Sequence, residues 1–179
     1  SIRRKEIITT LEIETAKMTF SDFTIANRSL NGGLTASYAV IDAKSQMVLT
    51  GDNLVVENSS SDSKISFSTL SMTYAWATEL SEDSNPFDSD FTLSSSVAGT
   101  RAEGEDSQSF TETTTSAEMV SSCFDSDIFL PQSGSSYITS DENLVVVDYS
   151  TGGSSCNTTV TLTTTIEEQE ISEEIDLGN

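Results

Sequence analysis

The sequence predicts an all-β protein, an antiparallel meander forming either a β-sandwich or an extended sheet. Three observations point there. Apolar and polar residues alternate with period two through most of the 179 residues, the spacing that sends successive side chains to opposite faces of a strand. Helical periodicity is nearly absent. Ser and Thr make up roughly a third of the chain, and the β-branched carbon of Thr suits a pleated surface. A near repetition also suggests two similar halves. "GDNLVVENSSSDSKISFSTLSMT" (51–73) and "DENLVVVDYSTGGSSCNTTVTLTTT" (141–165) each read as a short apolar run, a polar loop and a Ser/Thr-rich strand. The halves fall at 1–80 and 91–179 with an acidic connection at 81–90, and one continuous domain is the alternative.

The elements follow in order. "KEIITTLEIET" puts Ile7, Leu11 and Ile13 on one parity, and "KMTFSDFTIAN" does the same for Met18 and Phe20. A Gly-Gly turn at Gly32 and Gly33 feeds a strand over 34–42. "DAKSQ" turns into a strand from Met47, and "GDN" turns again into Leu54. "KISFSTLSMTYAWATEL" is a long strand whose apolar parity changes, so a bulge is expected near Thr69. "SEDSNPFDSD" holds one of two prolines and breaks the alternation. "FTLSSSVAGT" and "SFTETTTSAEMVSS" are strands either side of an exposed turn, and "CFDSDIFLPQSGSS" is an irregular connection. Strands follow at 137–140, 144–149 and 158–166. The tail "EEQEISEEIDLGN" reads as a last strand or a short helix. The expected core joins Leu34, Leu54, Val56, Ile65 and Phe67 to Leu144, Val146, Val160 and Leu162.

Charge and composition exclude several function classes. The net charge is −21, from 8 basic and 29 acidic residues, so the chain repels phosphate backbones and nucleic acid is not an expected partner. There is no histidine, which removes His-based triads and most catalytic zinc arrangements. No apolar run approaches the ~18 residues of a transmembrane helix. The chain opens on strand-like sequence, "SIRRKEIITT", which reads as a mature or trimmed form. The two cysteines, Cys123 and Cys156, cannot build a four-thiolate metal site. Their even number in a Ser/Thr-rich, lysine-poor chain fits one disulfide and an oxidising compartment.

Acidic clusters stand at Glu82, Asp83, Asp88 and Asp90, at Glu103, Glu105 and Asp106, and at Asp125 and Asp127. Asp83, Asp88 and Asp90 are a weak calcium candidate, since hard cations take several oxygen ligands; none of these loops matches an EF-hand. No other cofactor is expected. Paired carboxylates could serve a glycosidase, but few aromatics stand near them to wall a cleft, and no enzyme is expected. In "TTVTLTTTI", Thr159, Thr161, Thr163 and Thr165 project to one face. An ice- or polysaccharide-binding array would need that spacing repeated over many coils, and it occurs once.

Phe129, Pro131, Ser133, Gly134 and Cys156, with the strand pairs around them, resemble a diffuse group of uncharacterised Gram-negative secreted and envelope β-repeat proteins and lipoproteins. The resemblance implies an all-β fold and an extracellular, cell-surface or periplasmic address. The lipid-modified cysteine usual in that group has no counterpart at the start of this sequence.

Together these readings lead to the expectation of a non-enzymatic structural or surface β protein that associates with itself. An N-terminal strand carrying Arg3, Arg4, Lys5, Ile7, Leu11 and Ile13 would meet an acidic tail carrying Glu167, Glu168, Glu170, Glu173 and Glu174. The alternative is a glycan- or small-ligand-binding module using Tyr74, Trp76 and nearby loops.

Overall fold

The computed structural model describes residues 13–81, 85–126, 128–141, 143–150 and 156–177. Ten strands account for most of them: β1 (Ile13–Ile25), β2 (Arg28–Ile41), β3 (Lys44–Asn58), β4 (Ser63–Trp76), β5 (Phe91–Glu103), β6 (Asp106–Met119), β7 (Ser133–Ser140), β8 (Asn143–Asp148), β9 (Thr159–Ile166) and β10 (Gln169–Asp176). A 3₁₀ turn at Pro86–Asp88 and a single-turn helix α1 (Ser121–Phe124) interrupt them. All ten strands lie in one antiparallel sheet in sequence order. Of the two expected architectures the chain takes the extended sheet, and every strand packs against its sequence neighbours. Tight turns make this possible. Asp42 and Ala43, and again Glu167 and Glu168, all have positive φ, the handedness that lets a two-residue turn match the twist of its flanking strands.

The pairing sorts side chains onto two chemically different faces. One row crosses all ten strands as Lys17, Thr35, Thr50, Ser71, Ser96, Thr113, Tyr137, Val146, Thr163 and Ser172. Its neighbours on that face, including Thr161 and Thr165, are mostly hydroxyl-bearing. The opposite face carries Phe20, Leu34, Leu49, Met72, Tyr74, Phe91, Leu93, Val97, Val147 and Leu162. Because most of this face has no second layer over it among the described residues, most of its side chains are half-buried rather than buried. A polar belt crosses it. Thr114 shares hydroxyl hydrogen bonds with Ser136 (2.6 Å), and Ser136 with Tyr149 (2.9 Å).

The two glycine-containing turns expected from the sequence are bulges inside strands. Gly32 and Gly33 lie within β2, and Gly51 to Asn53 lie within β3. Asp22 (φ 49°), Gly32 (φ 109°) and Asn53 (φ 49°) bend β1, β2 and β3 at the same height, with register shifts beside Asp22 and Gly32. Gly32 is required there, since a Cβ would stand 2.3 Å from the carbonyl oxygen of Asn53. The bulge expected near Thr69 is present between Phe67 and Thr69. Just beyond it, the rings of Phe67 and Phe110 meet edge to face above Gly99, which lies between them in the sheet. The tail resolves as a strand, β10.

The expected core needs one correction. Leu54 and Val160 are buried, and Leu34, Val56, Ile65, Phe67 and Leu162 share their face, half-buried. Leu144 and Val146 do not. They pair with Thr165 and Thr163 and so stand on the hydroxyl face. Val145 and Val147 take the apolar side, because the register of β8 is displaced by one from the expected one.

Candidate functional site

At one end of the apolar face two irregular segments fold over the sheet, the connection from β4 to β5 and the connection from β6 to β7. Between them they cover the most densely packed part of the protein, where Trp76 (2% exposed), Phe91 and Met119 are buried together, with Tyr74, Leu93 and Phe124 against them. Six hydrogen bonds fix the segments. The Trp76 indole N–H donates to the Pro86 carbonyl at 2.9 Å. Asn85 caps the 3₁₀ turn by accepting from Phe87 N–H, and its amide donates to Asp88. The Asp90 carboxylate accepts from both the backbone N–H and the hydroxyl of Ser121, at 2.7 and 2.8 Å. The hydroxyl of Ser45 accepts from Leu80 N–H.

The segments touch where Asp90 meets Ser121, and beside that contact lies a cleft of about 800 Å³ lined by both. Its floor is Tyr74, Phe91, Leu93 and Met119. Phe87, half exposed, forms one lip; Phe129, 65% exposed, forms the other, stacked on Phe124 at 5.4 Å between ring centres. Polar groups at the cleft are Asn85, Asp88, Ser121, Ser122 and Asp125, and among the described residues no basic side chain lines it. Burial raises the pKa of the Tyr74 phenol above its ordinary value, because the floor of the cleft solvates a phenolate poorly.

The cleft wall is covalently fixed. Cys123, fully buried in α1, is bonded to Cys156, just before β9, as the cysteine count suggested. Beside it Gln132 bridges the same two segments. Its side-chain oxygen accepts from Asn157 N–H at 2.5 Å, and its amide donates to the Asn157 carbonyl at 3.3 Å.

The residues singled out from the sequence fall in different places. Arg3, Arg4, Lys5, Ile7, Leu11 and Asp83 lie outside the described residues. Ile13 opens β1. Glu167 and Glu168 form the turn into β10, and Glu170, Glu173 and Glu174 lie along that strand. Asp88 and Asp90, the other two calcium candidates, are engaged in the hydrogen bonds above. Among the described residues no group of three His, Cys, Asp or Glu side chains is placed to hold a metal ion. Tyr74 belongs to the cleft, but Trp76 is sealed beneath it and offers no surface platform.

The sheet has two further exposed features, its edges. Among the described residues β1 pairs only with β2, and β10 only with β9. Apolar side chains stand bare along both: Met18, Phe23 and Ile25 (64% exposed) on β1, and Ile166 and Ile171 (65% exposed) on β9 and β10.

The sequence pattern does not mark Phe87, Phe124 and Phe129 as site residues. Each lies in a segment without alternation, and the signal was their number: three of the chain's eight phenylalanines in stretches that otherwise read as solvated loop. Compared with known proteins, the chain matches no protein-family model, no curated protein and no solved structure.

Proposed function

We propose that the protein is a non-enzymatic structural β protein of the extracellular space or cell envelope, whose copies join edge to edge into a continuous sheet. One observation carries this reading: among the described residues both edges of an even-stranded meander are unpaired, and they run in opposite directions. A copy placed alongside by simple translation therefore brings its β1 antiparallel to the first copy's β10, with the apolar face still on the same side. Such a contact is heterologous and does not close, so it propagates as a fibre.

The register supports the same pairing. If the row that runs from Lys17 to Ser172 continued into the next copy, Ser172 of one copy would stand beside Lys17 of the next. Ile171 would then fall beside Met18, covering two side chains that are exposed in a single copy. Lys17 is the one basic residue of β1, and it would sit diagonally between Glu170 and Glu174, within reach of both. Main-chain hydrogen bonds would supply the affinity, and salt would favour assembly by screening a net charge of −21. The Cys123–Cys156 disulfide fits an oxidising compartment, and none of the described helices is long and apolar enough to cross a membrane.

The test is sedimentation and electron microscopy of the chain across salt concentration, with Lys17→Glu and with Lys17→Glu combined with Glu170→Lys and Glu174→Lys. Assembly rising with salt, lost in the single variant and recovered in the triple variant, is expected. A chain that stays monomeric at every salt concentration, or a Lys17→Glu variant that assembles as well as the parent, defeats the reading.

A further inference from the structure

We infer that the cleft over Tyr74 and Phe91 is a binding site for a small organic cation with an apolar body, such as an aryl- or alkylammonium. The inference is independent of edge-to-edge assembly, since the cleft opens on the sheet's apolar face between the two covering segments.

The chemistry of the walls selects the ligand. Five aromatic rings (Tyr74, Phe87, Phe91, Phe124 and Phe129) surround the cleft. The face of an aromatic ring carries negative charge density and attracts a cation, most strongly where water is excluded. Two acidic side chains, Asp88 and Asp125, stand at the same cleft from opposite segments. Among the described residues no lysine or arginine lines it, so an anion would meet no countercharge there. Asp88 is oriented by Asn85, whereas Asp125 makes no ion pair among the described residues and is exposed.

The apolar floor argues against a sugar. Leu93 and Met119 offer no hydrogen-bond partner, and Trp76, the usual kind of flat platform for a pyranose ring, lies under the floor at 2% exposure. The size agrees, since sites for small ligands typically enclose about 300–1,000 Å³. The lips agree too. Phe87 and Phe129 remain half or more exposed, although the segments that carry them are tied down by Pro86, Asp90 and the Cys123–Cys156 bond. A body inserted between them would cover both rings without moving the sheet.

The experiment uses the full 179-residue chain and three small aryl probes: benzyltrimethylammonium, its neutral carbon isostere of the same shape, and the anion benzenesulfonate. Binding is followed by calorimetry and by chemical-shift changes at the cleft. The cation is expected to bind about tenfold tighter than the isostere, a factor within the range of a desolvated cation–aromatic contact, and benzenesulfonate is expected not to bind. Phe129→Ala and Asp125→Asn change exposed side chains, and circular dichroism checks that each stays folded. Each should weaken the cation by about three- to thirtyfold, and Asp125→Asn should leave the isostere unaffected. Equal binding of cation and isostere, binding of the sulfonate, shifts located away from the cleft, variants indistinguishable from the parent, or no cation binding up to the probe's solubility would each overturn the assignment.

Discussion

The Trp76 indole donates its one hydrogen bond to Pro86, a residue of the segment that lies on top of it. The ring is buried beside Phe91 and the carbonyl belongs to the 3₁₀ turn, so this bond ties the floor of the cleft to its wall. Trp76→Phe keeps an aromatic ring but removes the donor and part of the volume. It should cost about 1–3 kcal/mol, from the lost hydrogen bond to a half-buried carbonyl together with the lost buried volume. Urea unfolding followed by circular dichroism measures this, and a change within error would mean the segment is held without it.

The bond between Cys123 and Cys156 closes a loop across a separation of 33 residues. In the chain-entropy description a loop of that size contributes about 3–4 kcal/mol. Reduction, or Cys123→Ser with Cys156→Ser, should lower the urea midpoint accordingly. It should also abolish the fixed geometry between Phe124 and Phe129, seen as a loss of aromatic near-ultraviolet signal. An unchanged midpoint would show that the unfolded chain is already constrained there.

The two faces of the second half make a paired prediction. Val160 is 2% exposed on the apolar face, and Val146 stands half-buried among Tyr137 and Thr163 on the hydroxyl face. Val160→Asp should cost more than about 3 kcal/mol, because an acidic group would be buried without a partner. Val146→Asp should cost about 1 kcal/mol, in line with an ordinary substitution. Thermal melts of the two variants decide it, and the opposite order would mean that β8 is displaced by one residue.

Tyr74 gives a pH dependence of definite sign. Its folded pKa is raised by burial, so over some interval above the ordinary tyrosine value of about 10 the unfolded chain has released the phenolic proton while the folded chain retains it. Unfolding then releases a proton, and stability falls as pH rises through that interval. Below it the group contributes no pH dependence. Urea unfolding at alkaline pH should show the decline, and Tyr74→Phe should reduce it.

Much of the strand pattern was legible because alternation is a local property. β4 and β5 could be read from parity alone, bulge included. What alternation could not supply was register where it lapses. "NLVVVD" holds four apolar residues in succession, so either parity of β8 suits a core, and only pairing with β9 decides between them. Gly32 and Asn53 read as turn residues in the sequence because turns and bulges need the same left-handed backbone. Telling them apart requires knowing that the strand continues on both sides. The cleft was least legible. Tyr74 and Trp76 lie on a strand and drew notice, but Phe87, Phe124 and Phe129 reach the site through irregular segments whose path depends on Asn85, Asp90 and the disulfide rather than on any period.

The sheet's strict sequence order also sets how the protein would respond to tension across its two edges. Each ladder joins chain neighbours, so a pull that separates β1 from β10 loads the strands one after another, and the structure would lengthen by unzipping rather than by a single rupture. The covalent loop from Cys123 to Cys156, which contains β7 and β8, is the exception. Its 33-residue span cannot extend while the bond is intact, which withholds roughly 110 Å of contour length. A reductant would release that slack, making the reach of the stretched molecule dependent on its redox surroundings.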